Sequence, residues 1–308
     1  MRVIEDLSKV RSRKKSVVTI GSFDGIHLGH RKILREVVLL ARGLSATGVV
    51  VTFDPHPMAV LHPKEAPCLL TTASEKVSLM REVGVGKAII VQFTPKLAGR
   101  SAEWFVRDLL IRRLNMRRLV IGYDFRFGVG REGDAPYLER LGERLGFGVD
   151  IVPPVNYLNH PVSSTRVRTA LVRGDVVSAA RMLGRPYRLA GKVVRGEGRG
   201  RMLEFPTANL EVGDPAKILP ANGVYAVKVD VGKERAPGAL YVGTRPTFGG
   251  KARSIEVHIM DVKRSLYGRR VGVAFVKRIR DDAAFPSPEA LRDAIRRDVT
   301  KATRLLST

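Results

Sequence analysis

Gly21-Ser-Phe-Asp-Gly-Ile-His-Leu-Gly-His30 lies between a short apolar run, Val17 to Ile20, and a stretch with apolar residues at Ile33, Leu34, Val37, Val38, Ala41 and Leu44. The second spacing is one face of a helix, predicted over His30 to Leu44. The quoted segment is therefore a strand–loop–helix junction. Gly21, Gly25 and Gly29 let its backbone turn sharply and approach a ligand closely. His27 and His30 fall at the helix N-terminus, where free N–H groups and the dipole favour phosphate. The plain alternative is two surface histidines in a Gly-rich turn.

Outward from this junction the alternation continues. Gly48 to Phe53, Lys87 to Phe93, Arg118 to Gly122 and Val149 to Pro153 read as strands; Ser74 to Val83, Ser101 to Leu114 and Asp134 to Leu145 carry helical spacing. Strands alternating with helices imply βαβ units around a parallel sheet. Ligands bind such sheets at the carboxyl ends of the strands, so chemistry is expected in the loops after Ile20, Phe53 and Ile121. From Ser163 to Leu183 the pattern is helical, with a break at Gly174-Asp175, and Gly184-Arg-Pro186 marks the expected boundary. Beyond it come short β-rich runs separated by Gly and Pro turns: Arg188–Val194, Gly223–Val231, Ala239–Val242, Ser254–Met260 and Arg270–Arg278. They predict an antiparallel barrel or sandwich. A closing helix is expected from about Pro288 to Leu305, with Ser287 as its N-cap. The expected domains are residues 1–184 and 185–308.

Charge and composition narrow the partners. The 308 residues carry 54 Lys+Arg against 30 Asp+Glu, a net charge of +24, half of it on each side of Gly184. An excess spread in this way fits a generally basic surface that attracts polyanions better than a dedicated nucleic-acid arm. Aromatic residues at 6% leave few stacking platforms for single-stranded nucleic acid. Phosphate-bearing small ligands fit better. Cys68 alone forms no internal disulfide, and no Cys/His cluster has zinc-ligand spacing, which excludes a disulfide-stapled secreted domain. Apolar runs such as Ala88 to Val91 and Val37 to Ala41 are far shorter than the ~20 residues of a spanning helix. The basic Arg11, Arg13, Lys14 and Lys15 are followed by no apolar signal region. A cytoplasmic protein with no membrane partner is expected.

The spacing of His27 and His30 with its flanks resembles the nucleotidyltransferase superfamily, whose HxGH histidines hold nucleotide phosphates during adenylyl or cytidylyl transfer. Three further stretches narrow the resemblance: Thr52-Phe-Asp-Pro-His-Pro57, Gly122-Tyr-Asp-Phe-Arg-Phe-Gly128 with Gly130-Arg-Glu-Gly-Asp134 behind it, and Ser163-Ser-Thr-Arg-Val-Arg168. Together they look like the adenylyltransferase module of bacterial bifunctional riboflavin kinase/FAD synthetases. The resemblance implies a Rossmann-like domain in which Gly21, Phe23, Asp24 and Gly29 complete the ATP-binding loop. Ser163, Ser164 and Thr165 can cap a helix and offer hydroxyls to phosphate. Arg168, one turn on, can stabilise charge on leaving pyrophosphate. Asp124, Phe125 and Phe127 are expected to line the flavin or adenine side, although a core role suits the two phenylalanines as well. Asp54 and His56 either touch substrate or form a rigid turn with Pro55 and Pro57.

The second half carries its own motifs. Gly196-Glu-Gly-Arg-Gly-Arg201 leads into Phe205-Pro-Thr-Ala-Asn209. Main-chain N–H groups around Gly196, Gly198 and Gly200 can wrap a phosphate. The Thr207 hydroxyl and Asn209 carbonyl are hard oxygen ligands suited to Mg²⁺, which takes few protein ligands plus phosphate oxygens. This looks like the PTAN motif of riboflavin kinases, followed in family order by Gly223-Val-Tyr225, Gly243-Thr-Arg-Pro-Thr-Phe248, Ile255-Glu-Val-His-Ile-Met260 and Leu266-Tyr-Gly268. The resemblance implies a kinase-like barrel, a flavin contact at Arg245 and a general base at Glu256. Strand periodicity puts Glu256 and His258 on the face opposite Ile255. From there the carboxylate can take the 5′-hydroxyl proton of a ribityl chain as it attacks a γ-phosphate.

One residue departs from the pattern. Family members usually have Gly before the Phe of FPTAN, and this chain has Glu204. If the backbone there needs positive φ, Glu adds strain, and its charge weakens ATP binding unless Arg201 offsets it. The function implied is phosphorylation of riboflavin to FMN, then adenylylation of FMN to FAD, with riboflavin, FMN and ATP as substrates. The alternatives are an adenylyltransferase with a weak or absent kinase, and a basic RNA-binding protein on the same scaffold.

Overall fold

The computed structural model describes residues 1–6, 9–196, 204–247, 250–260, 262 and 264–307, without side chains at 245–247 and 250–252. The chain divides into two compact units, Met1–Ser164 and Thr165–Thr308.

The first unit is the expected parallel α/β sheet. Its strands are β1 (Arg2–Ile4), β2 (Ser16–Ile20), β3 (Thr47–Asp54), β4 (Lys87–Gln92), β5 (Met116–Gly122) and β6 (Gly148–Val152), in the order β1-β4-β3-β2-β5-β6 and all parallel. Between them run α1 (Leu28–Gly43), α2 (Pro57–Leu61), α3 (Ala73–Val83), α4 (Pro95–Ala98), α5 (Ala102–Trp104) and α6 (Ala135–Leu145). All five residues of the central β2 are buried, because helices cover both sheet faces. Val18 and Ile20 pack with Phe105, Leu109 and Leu138 on one side; Val17 packs with Val37 and Ala41 of α1 on the other. A two-strand hairpin, β7 (Asn156–Tyr157) and β8 (His160–Pro161), follows β6.

Three details differ from the sequence expectation. β1 adds an edge strand that the sequence conceals, since three residues with only Ile4 buried carry no readable period. The helix predicted over Ser101–Leu114 is α5 continued by a π-helix, Phe105–Arg113; the wider winding keeps Phe105, Val106, Leu109 and Leu110 buried. α1 starts at Leu28 rather than His30, for a reason that belongs to the site.

The second unit opens with α7 (Ser164–Val172, from its second residue) and α8 (Val176–Leu183), broken at Gly174-Asp175 as expected; Asp175 caps α8 by accepting the Ser178 N–H at 2.9 Å. Hydrogen bonds tie α7 to later segments of the unit: the Ala221 N–H donates to Leu171 O at 3.0 Å, and Arg278 donates to Arg173 O at 3.4 Å. The rest is a closed antiparallel barrel in the order β10-β13-β12-β11-β14-β9, which decides between barrel and sandwich. Its strands are β9 (Arg188–Val194), β10 (Ala208–Val212), β11 (Gly223–Val231), β12 (Glu234–Thr247), β13 (Gly250–Ile259) and β14 (Arg270–Asp281). β12 is longer than expected because Pro237, which argues against a strand, sits where the ladder tolerates it, opposite Lys228. α9 (Pro288–Leu306) closes the unit, with Ser287 accepting the Ala290 N–H at 3.2 Å. Ala302 and Val299 of α9 pack on Val224, Ala226 and Ala239. Among the described residues no helix is long and apolar enough to cross a membrane.

Candidate active sites

Helix capping builds the loop after β2. His27 is the N-cap of α1, and its Nδ1 accepts the His30 backbone N–H at 3.3 Å. Three residues is the distance over which a cap side chain satisfies a free helical N–H, so the histidine spacing is a capping spacing. The same turn stacks the two imidazoles, with centroids 3.6 Å apart and planes 18° from parallel. A β-carbon at Gly29 would stand 3.2 Å from the His27 ring and would press that ring out of its present position.

Beneath the rings the loop is anchored by buried polar groups. The Asp24 carboxylate accepts the backbone N–H groups of Leu70 (2.9 Å) and Thr71 (2.9 Å) and the Thr71 hydroxyl (3.0 Å). Thr71 Oγ1 accepts the Gly25 N–H at 2.9 Å, and the Ser164 hydroxyl donates to Asp24 O at 2.8 Å. Phe23 packs into the core with Ile26 and Leu34. Phe23 and Asp24, expected against phosphate, thus turn their side chains into the protein and shape the loop instead. The anchors hold Phe23 and Ile26 at φ +46° and +37°, where non-glycine residues are strained. Gly21 continues the sheet, donating its N–H to Val51 O at 3.1 Å.

Lys76 of α3 is 6% exposed, and its ammonium donates to Ser22 O (3.3 Å) and Phe53 O (3.2 Å), tying the ends of β2 and β3 together. Thr52 Oγ1 donates to the same Ser22 carbonyl at 3.1 Å. Thr52 opens one of the sequence motifs, but no motif singles out Lys76. A signal is nevertheless present: Lys76 stands three and four residues before the buried Leu79 and Met80, where the helix period asks for an apolar side chain.

Burial pushes the Lys76 ammonium below its usual value, opposed by Asp24 and Asp54. Burial also holds His30 well below the ordinary imidazole value, and the charges of His27 and Lys76 act in the same direction. His30 is therefore neutral at pH 7. Its Nδ1 is buried and has no hydrogen-bond partner among the described residues. That leaves hydrogen-bonding capacity at the carboxyl end of the sheet, where ligands bind.

The other expected residues of this unit lie at neighbouring strand ends. Asp54 is exposed at the end of β3. His56 caps α2, its Nδ1 accepting the Met58 N–H at 3.2 Å, so this imidazole has the rigid-turn role in part. Phe125 and Phe127 are half-buried, 5.3 Å apart, and continue through Phe105 (5.7 Å from Phe127) and Phe53 (6.4 Å from Phe105) to Phe93 (5.4 Å from Phe53). Phe105, in the middle of this row, is a core residue against which Phe53, Phe125 and Phe127 pack, and Asp124 is exposed beside Phe125. Ser163, half-buried beside Ser164, lies at the end of the first unit; Thr165, exposed, and Arg168, half-buried one turn along α7, belong to the second.

In the second unit the structure brings Thr207, Asn209 and Glu256 together. Thr207 Oγ1 donates to Glu256 Oε2 at 3.1 Å, and Asn209 pairs with Glu256 across β10 and β13. β10 begins inside the PTAN motif, and its strand character is what the sequence conceals. Ile255, Val257 and Ile259 are buried while Glu256 and His258 are half-exposed, as the strand period requires. His258 Nδ1 lies 2.9 Å from Pro206 O, and its ring meets Phe205 edge-on at 5.6 Å, fixing the approach to Thr207. A β-carbon at Gly196 would collide with the Asn209 amide, so any other residue there would displace that side chain. Gly198 and Gly200 lie outside the described residues, as does the Arg245 side chain. Glu204 is exposed with φ +67°, so the condition for strain is met.

Tyr241 stands directly across from Glu256 and donates its hydroxyl to Asp282 at 3.0 Å. Burial first, then that bond and the nearby carboxylates, push the phenol up to about 12. It remains a neutral donor beside the carboxylate.

Comparison with known proteins now bears on both units. A family model described as FAD synthetase matches residues 9–166, and one described as riboflavin kinase matches residues 183–306. The bifunctional riboflavin kinase/FMN adenylyltransferase of Escherichia coli K12 is 38% identical over 299 residues, covering 97% of this chain and 95% of the relative. That of Pseudomonas fluorescens is 38% identical over 307 residues, covering 99% and 98%. A crystal structure described as a macrolide-efflux protein from Streptococcus pneumoniae superposes with a TM-score of 0.90 at 32% identity, covering 98% of each chain. With each unit matched by its own model and the relatives collinear from end to end, the chain belongs to the bifunctional riboflavin kinase/FMN adenylyltransferase family.

Proposed function

We propose that this chain makes FAD from riboflavin in two ATP-dependent steps, with residues 185–308 forming FMN and residues 1–184 adenylylating it. The observation that carries this is that each unit assembles its own cluster: stacked His27 and His30 on a capped helix, and Thr207 beside the paired strands that carry Asn209 and Glu256.

In the first step the riboflavin 5′-hydroxyl oxygen attacks the γ-phosphorus of ATP, the bond to the β-phosphate oxygen breaks, and ADP leaves. Glu256 takes the hydroxyl proton. The Thr207 hydroxyl hydrogen points to Glu256, leaving its oxygen lone pairs available to a cation, so Thr207 Oγ1 and the Asn209 carbonyl fit Mg²⁺. Bound there with ATP, Mg²⁺ supplies neutralisation of phosphate charge. Gly196 lets Asn209 take up its position, with Gly198 and Gly200 as further phosphate contacts and Arg245 as a flavin contact.

In the second step an FMN phosphate oxygen attacks the α-phosphorus of another ATP, and pyrophosphate leaves. Alignment and charge neutralisation suffice, with no covalent enzyme intermediate. His27 and His30 hold the phosphates at the helix N-terminus, with Gly21 and Gly29 admitting them to the backbone. Asp54, Asp124, Phe125 and Phe127 border the flavin. Ser163, Thr165 and Arg168 are carried to a phosphate role by the sequence motif. The place of action is the cytoplasm.

The test is incubation of the purified chain with riboflavin, ATP and Mg²⁺, with the flavins resolved by chromatography over time. FMN should accumulate and then give way to FAD. If neither riboflavin nor separately supplied FMN is converted, the proposal is wrong.

A further inference from the structure

The proposed chemistry makes no use of Lys76. Its ammonium is nearly inaccessible, yet it sits on a helix face whose other members, Leu79 and Met80, are apolar. A buried charge is costly unless it is well partnered, and an apolar residue of similar length often serves stability equally well. Here the ammonium grips two backbone carbonyls, Ser22 O and Phe53 O, at the divergence of the β2 and β3 loops. A lysine has three N–H donors, and two are accounted for in this way.

We propose that Lys76 is a positioning residue of the adenylyl-transfer centre: it ties the loops after β2 and β3 together and keeps a fixed positive charge behind the His27–His30 pair, where the ATP phosphates arrive. This rests on the assignment of His27 and His30 to phosphate. The groups bearing on the spot are His27 and His30 of the capped turn, Asp24 of the loop and Asp54 at the end of β3. Asp24 is occupied by Leu70 and Thr71, so its charge is fixed in place. Lys76 supplies the cationic balance. Its charge also disfavours a proton on His30, which keeps that ring a neutral hydrogen-bonding group while phosphate negative charge builds beside it.

The experiment uses the full chain with isotope-labelled histidine. In Lys76→Met, FAD formation from FMN should fall by about 10- to 100-fold, the effect of misplacing a reacting group by a fraction of an ångström or more. Riboflavin phosphorylation should hold. The His30 titration midpoint, followed by NMR, should move to higher pH because a nearby positive charge has gone. Lys76→Arg, which keeps the charge, should recover much of the rate and return the midpoint. Thr52→Val removes the other donor to Ser22 O without changing charge, so it should leave the midpoint unmoved. If Lys76→Met loses its native histidine spectrum, Lys76→Gln, neutral but still a donor, takes its place with the same expected shift. Wild-type FAD formation in the neutral variant overturns the proposal, as does a slower enzyme with an unmoved His30 midpoint. His30→Ala with full FAD formation would instead overturn the assignment on which this rests.

Discussion

The loop after β2 and the Thr207–Glu256 cluster recruit their functional groups in opposite ways. In the first unit the groups are fixed from below: Asp24, Thr71, Thr52 and Lys76, all buried, set the loop before any ligand arrives. In the second unit they stand half-exposed on two paired barrel strands and the residue before one of them, and the strained position nearby, Glu204, is exposed. Strain at Phe23 and Ile26 is over-determined by buried bonds, whereas no buried bond of that kind is seen at Glu204 among the described residues. A preorganised site loses rate when its groups are removed and stability when its supports are removed; a site on an exposed strand separates the two.

The largest effects should be on rate and should cross over between units. His30→Ala should lower FAD formation by at least about 10²-fold, the scale of a lost transition-state donor, and leave FMN formation intact. Glu256→Ala should do the reverse, lowering FMN formation by about 10²–10⁴-fold as for a lost general base, while supplied FMN still becomes FAD. Flavin chromatography reads both. Parallel loss of both activities in either variant would mean that the two centres are not independent.

Asp24→Ala comes next and tests support rather than chemistry. It leaves two backbone N–H groups and the Thr71 hydroxyl without their buried acceptor. Urea unfolding should show the first unit destabilised by about 2–4 kcal/mol, with the second unit unmoved. An unchanged first unit would show that the loop does not depend on this carboxylate.

That support is the part of the site the sequence does not disclose. The parallel sheet, the barrel strands other than β10, the helix break at Gly174-Asp175 and the Ser287 cap are legible because period, glycine and cap residues act locally. The juxtaposition of Thr207, Asn209 and Glu256 is legible only as motifs; their meeting depends on the pairing of β10 with β13, which joins residues far apart in the chain. Asp24 enters the ATP-binding loop only through the family resemblance. The Leu70 and Thr71 groups that its carboxylate holds are set by tertiary packing. His27 as a cap is implicit in the spacing to His30, but apolar period alone places the helix start too late.

Acid should affect the first unit through His30. The folded protein holds this imidazole below the ordinary value of 6.5. The unfolded chain therefore binds the proton more readily, and the contribution to stability is full above about pH 6.5 and is lost as pH falls from there toward the folded value. Thermal unfolding of the first unit should shift down between about pH 7.5 and about pH 5.5, and His30→Ala should flatten that dependence. An equally steep dependence in the variant would assign the effect to other groups.

The smallest effect sharpens the comparison from the other side. Glu204 holds φ +67°, and no family constraint on function is needed to see that glycine suits it better. The left-handed conformation costs a side-chain-bearing residue about 1–2 kcal/mol, and glycine gives back roughly 0.5–1 kcal/mol through its freer unfolded state. Glu204→Gly should therefore stabilise the second unit by roughly 0.5–1 kcal/mol in urea unfolding. Removing the negative charge should also lower the KM for ATP in FMN formation, modestly and less at high salt, because the residue is exposed. Glu204→Gln separates the two contributions: it keeps the strain and removes the charge, so it should share the change in KM and not the gain in stability. If Glu204→Gly gains neither, the exposed turn relaxes freely, and of the two sites only the buttressed loop, at Phe23 and Ile26, is strained.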